Sequence, residues 1–78
     1  MNFSENLKLV QVIRGISTKK LAKEMGVSVA HISAYRNGHA PSPSLRTITK
    51  FAKALKVRPS MLISDSLADS VKTLVDSE

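Results

Sequence analysis

Apolar residues recur along this chain at helical spacing, and the runs are broken by glycines, by a proline-rich stretch and by serines placed to cap helices. In "SENLKLVQVIRG", Leu7 and Val10 share a buried face that Leu9 and Ile13 widen. Ser4 is placed as cap, Glu5 suits the positive end of the dipole, and Gly15 supplies the stop. Phe3, just before the cap, is positioned to fold over the first turn as a staple. The second run, "STKKLAKEMG", has Ser17 as cap, Leu21, Ala22 and Met25 as its stripe, and Gly26 as its end. The third, "SVAHISAYRNG", starts at Ser28, turns Ile32 and Tyr35 inward, and ends at Asn37-Gly38. "HAPSPS" is a loop, since Pro41 and Pro43 exclude helix. Ser44 then caps "LRTITKFAKAL", where Leu45, Ile48, Phe51, Ala52 and Leu55 form one face. Pro59 suits the first turn of a short fifth helix, "PSMLIS". In the tail, Leu67, Val71, Leu74 and Val75 fall on one face and mark a candidate sixth helix. No segment alternates as a strand does. The expected fold is all-α, with five helices and a short C-terminal extension.

Only Gly26 and Val27 separate the second helix from the cap of the third, so the two must cross steeply. Spacing gives each residue at this corner a task. Ala22 is small where the helices approach, and Gly26 takes a positive φ. Val27 plugs the corner, Ser28 caps, and Ile32 anchors. Val29, Ala30, His31, Ser33, Ala34 and Arg36 are left facing outward. An idle surface helix carries Lys and Glu on such a face; this one carries small and weakly polar side chains.

Charge sharpens the picture. The chain has 78 residues and a net charge of +6. Residues 1–64 hold eleven Lys or Arg and two acids, Glu5 and Glu24. Residues 65–78 hold Lys72 against Asp65, Asp69, Asp76 and Glu78. A basic body, 1–64, with an acidic extension, 65–78, points to a polyanionic partner for the body. There is no cysteine, hence no disulfide framework and no thiolate zinc site. No apolar run approaches the ~20 residues of a membrane span, and "MNFSENLKL" lacks the pattern of a secretory signal. A cytoplasmic protein with no membrane partner is expected.

The pattern Leu21-Ala22, Gly26-Val27-Ser28, Ile32-Ser33, joined to the downstream "FAKALKVRPSMLI", resembles the lambda-repressor/Cro-like, or XRE, helix-turn-helix family. The resemblance covers about residues 4–64, with the helix-turn-helix at about 17–37. It implies a small sequence-specific transcription regulator that binds a double-stranded DNA operator, repressor-like or Cro-like, of bacterial, phage or plasmid origin. Its third helix would lie in the major groove. Carried over by position, Ser28, Val29, Ala30, His31 and Ala34 would read bases. Ser17, Thr18, Ser33, Arg36, Asn37 and His39 would contact phosphate. Small residues suit that task because they bring the helix backbone near base edges and thymine methyls.

The chain departs from the family pattern in three places. Thr18 stands where many members have Gln. Arg36 stands where many have a Glu that pairs with a first-helix Arg, and Gln11 occupies the partner position. The usual internal ion pair therefore cannot form, which leaves Arg36 free to reach a phosphate. The reading face also lacks the Gln, Asn or Arg forks of bidentate base recognition.

Two other readings share the same residues. The chain could be the antitoxin of a toxin–antitoxin pair, with the C-terminal extension covering a protein partner. It could also be a protein-interaction module that keeps the fold without operator binding. His31 and His39 stand without a carboxylate or thiolate constellation, so neither a metal site nor an enzyme is expected, and no cofactor. The apolar residues between Val57 and Ile63, with the stripe of the tail, suggest a weak homodimer through the fifth helix.

Overall fold

Serine hydroxyls open three of the five helices in the computed structural model, which describes residues 3–63. The order is α1 (Phe3–Arg14), α2 (Thr18–Met25), α3 (Val29–Arg36), α4 (Leu45–Leu55) and α5 (Ser60–Ile63). Ser17, Ser28 and Ser44 hold extended backbone angles, and their hydroxyls accept from the N–H of Lys20, His31 and Thr47 at 3.1, 3.1 and 3.2 Å. Each hydroxyl satisfies an N–H that has no partner within its helix. All elements among the described residues are helical, as the spacing predicts. The candidate sixth helix and the acidic extension lie outside the described residues.

α1 differs from its sequence reading at its first turn. The helix runs from Phe3, so Ser4 lies inside it and is not its cap. The Ser4 hydroxyl instead donates to the carbonyl of Tyr35, at the far end of α3. Phe3 does not fold over its own helix either. Its ring meets Tyr35 and Phe51 edge-on, with centroids 5.9 and 5.2 Å apart, and Tyr35 and Phe51 meet each other at 5.3 Å. The chain has two Phe, one Tyr and no Trp. All its phenyl-type rings therefore sit in one knot joining α1, α3 and α4. Each such edge-to-face pair adds about 0.5–1.5 kcal/mol beyond area burial.

Leu7, Val10, Leu21, Ala22, Ile32, Ile48, Phe51, Ala52, Leu55 and Leu62 form the core around that knot. Two expected core residues lie outside it: Leu45 is 70% exposed and Ile13 is 49% exposed. Leu45 is the first residue of α4, at the end of its apolar face. Two polar residues take the buried places on α1, Asn6 and Gln11. Asn6 Nδ2 donates to the Leu62 carbonyl at 2.9 Å, which fixes α5 against α1. Pro59 precedes α5, and its carbonyl accepts from Leu62 N–H at 3.0 Å.

α1 and α2 end on left-handed glycines, Gly15 and Gly26. α4 ends on Lys56, with φ 59° and ψ 43°, and its N–H reaches the carbonyls of Ala52 and Lys53. A side chain in this region is strained against the backbone. Replacing Lys56 with Gly is expected to raise stability by about 0.5–1 kcal/mol in urea unfolding, the relief of strain exceeding the added freedom of the unfolded chain.

Candidate nucleic-acid interface

The corner between α2 and α3 is built as its residue types require. Gly26, at φ 68°, ends α2, and the Val27 N–H returns to the Ala22 carbonyl at 3.0 Å. Val27 is half-buried against the core, and Ser28 opens α3 immediately. Five of the first six residues from the cap then stay outside the core, because among the eight of α3 only Ile32 is buried.

Ser28, Val29, Ala30 and His31 are exposed, Val29 at 46% despite its branched apolar side chain. Ala34, the fifth residue expected to read bases, is half-buried one turn further on. Its carbonyl accepts from the N–H of both His39, at 2.9 Å, and Ala40, at 3.1 Å, so the loop after α3 folds back along the helix. The His31 ring meets Tyr35 edge-on with centroids 5.4 Å apart, which ties this exposed side chain to the aromatic knot.

The residues expected to meet phosphate lie at the two ends of this unit. Ser17 and Thr18 stand at the start of α2, Ser17 exposed and Thr18 half-buried. Ser33 and Arg36 are half-buried on α3, and Asn37 and His39 are exposed beyond it. Asn37 closes α3, its N–H donating to the Ser33 carbonyl at 2.9 Å. Arg36 is not free, as the missing ion pair had implied. Its Nη1 donates to Oε1 of Gln11. A hydrogen bond from the charged guanidinium to a neutral amide takes the place of a salt bridge.

Residues 12–62 match the family model described as Helix-turn-helix. The chain belongs to the XRE-type helix-turn-helix family. It is 39% identical over 56 residues to the HTH-type transcriptional repressor RghR of Bacillus subtilis (strain 168), across 72% of this chain and 42% of RghR. It thus spans about two fifths of that curated relative's length. Its structure is similar to the crystal structure of the restriction-modification controller protein C.AhdI from Aeromonas hydrophila. The TM-score is 0.70 at 28% identity, over 77% of this chain and 86% of that one.

Basic side chains outnumber acidic ones around the corner of this helix-turn-helix domain, where Glu24 is the one acid on α2. Lys19, Lys20 and Lys23 are exposed on α2. Lys50 and Lys53, both exposed on α4, border a groove together with Glu24, Met25, Val27, His31 and Tyr35. Sequence reasoning placed Gln11 opposite Arg36, but not its burial or its bonds to Ile16 and Thr18. The available signal was a polar residue in register with Leu7 and Val10, on a face otherwise apolar. Among the described residues no group of three metal-ligating side chains forms, and no helix is long and apolar enough to cross a membrane.

Capping by Ser28 is what sets the exposed turn of α3. Ser28→Ala should lower stability by about 1 kcal/mol in chemical denaturation, whereas Ser28→Asn, which restores the acceptor, should recover most of it.

Proposed function

We propose that this chain is a sequence-specific, double-stranded-DNA-binding transcription regulator of the repressor type, with α3 seated in the major groove. One observation carries the reading. The N-terminal half of α3 presents four consecutive exposed residues with short or compact side chains, on a backbone held by a cap and a buried anchor. Ala30 and Val29 suit thymine methyls, and Ser28 and His31 suit base-edge or phosphate hydrogen bonds. Ser17, Thr18, Ser33, Arg36, Asn37 and His39 border this surface as phosphate contacts, which set register without reading sequence.

Pairing on a two-fold site would add the affinity that one small module lacks. α5 supports this: Val57 and Met61 pack only partly on the core, and Ile63 is 52% exposed. The assembly proposed is a weak homodimer through α5, held back by the positive charge of each copy.

Selection of bound sites from a random duplex pool should return a palindromic consensus. Ala30→Glu places a carboxylate where bases and phosphates approach, at an exposed position far from the core. It should abolish binding to the selected site while leaving the melting temperature unchanged; normal binding by this variant would remove α3 as the reader. For assembly, sedimentation equilibrium should find a dimer at high micromolar concentration and a monomer for Ile63→Glu. A monomer in both cases would contradict pairing through α5.

A further inference from the structure

Gln11 is 5% exposed, and both ends of its amide are used. Oε1 accepts from Nη1 of Arg36 in the last turn of α3. Nε2 donates to the Ile16 carbonyl at 3.2 Å and to Oγ1 of Thr18, the first residue of α2, at 3.3 Å. One amide on α1 thereby joins the start of α2 to the end of α3. The cleft around it is lined by Gln11, Val12, Gly15, Ile16, Ser17, Thr18 and Arg36, with no carboxylate among them.

The direction of these bonds matters more than their number. A guanidinium has five N–H donors and no acceptor, so a bond at Nη1 leaves the others for an anion. A neutral amide oxygen also leaves the positive charge uncompensated, which a carboxylate in its place would not. A hydroxyl that accepts the Gln11 N–H has its own proton to give elsewhere. The amide thus leaves Arg36 and Thr18 each with a donor to spare. They stand no further apart than two hydrogen bonds and the width of one amide. A single phosphate taking two hydrogen bonds bridges that span.

We propose that Gln11 is a positioning residue for DNA: it touches no nucleotide, but couples Arg36 and Thr18 into one phosphate clamp and keeps that clamp fully cationic. The inference rests on Arg36 and Thr18 being phosphate contacts, as read above. Arg36 supplies both charge and a fork of donors, Thr18 supplies a hydroxyl, and Gln11 sets the distance between them. A carboxylate at position 11 would also hold Arg36, but it would compensate the charge and could not donate to the Ile16 carbonyl or to Thr18.

The test uses the full chain and its selected duplex, with affinity measured across salt concentrations. Gln11→Glu keeps the shape and the bond to Arg36, compensates the charge of the guanidinium, and gives up the N–H bonds to Ile16 and Thr18. The slope of log K against log salt should become shallower by about 1, and affinity near 0.1 M salt should fall about tenfold. Gln11→Met keeps the volume and removes both bonds. It should leave the slope within a few tenths of wild type yet weaken binding, and the energetic coupling between Thr18→Ala and Arg36→Ala, present in the parent chain, should vanish. Melting temperature alone responds to a merely structural Gln11; the slope and the coupling do not. Should Gln11→Glu fail to fold, Gln11→Met with the double-mutant cycle decides alone. An unchanged slope in Gln11→Glu, or coupling that survives in Gln11→Met, overturns the proposal. An unchanged slope in Arg36→Ala of the parent chain would overturn the underlying reading of Arg36 itself.

Discussion

A helix that reads DNA, the role proposed for α3, must leave most of its own surface uncovered, and the packing of this small domain meets that constraint. α3 has eight residues and buries only Ile32. Isolated helices of that length do not persist in water, so nearly all of its order comes from outside. The chain supplies it at several points. Ser28 caps the start, and Ile32 and Tyr35 anchor the inner face. Ser4 binds the Tyr35 carbonyl, and Gln11 holds Arg36. Two of these attachments come from α1, which is remote in sequence and close in space.

The same constraint explains why polar residues occupy buried places. An all-apolar α1 would pack as well, but it could not grip the backbone of α5 or the polar side chain ending α3. Asn6 and Gln11 make directed bonds to the Leu62 carbonyl and to Arg36. Directed bonds fix orientation where dispersion contacts permit sliding. Orientation of α3 against α2 is what base reading requires, since an error of one or two ångströms would misplace every reader together.

Much of this was legible from residue order because the deciding interactions are local. Ser17, Ser28 and Ser44 cap helices within three residues of themselves, and Gly15 and Gly26 act at their own φ. The helix count, the corner and Ile32 as anchor follow from such rules. What was not legible depends on distant partners. Ser4 looks like a cap until Tyr35, 31 residues away, claims its proton. Phe3 looks like a local staple until Phe51 and Tyr35 come within reach. Leu45 has the right period for the core but stays 70% exposed at the end of that face. Lys56 adopts a glycine-like conformation that no local signal marks. On α3, Val29, Ala30 and His31 were readable as exposed from spacing alone, whereas Ser33, Ala34 and Arg36, expected to face outward with them, are half-buried, and the tether on Arg36 needed α1 in place.

The central claim is that α3, framed by the start of α2 and the loop after Arg36, is the surface that meets DNA. Amide chemical-shift mapping of the isotope-labelled chain, titrated with its selected duplex, tests it most directly. The account expects the largest changes at Ser17 to Lys19, Ser28 to Ala34 and Asn37 to His39, with Leu7 and Ile48 in the core unmoved. Changes centred instead on α5, or on the Lys50–Lys53 face of α4 with Ser28 to His31 silent, would contradict it.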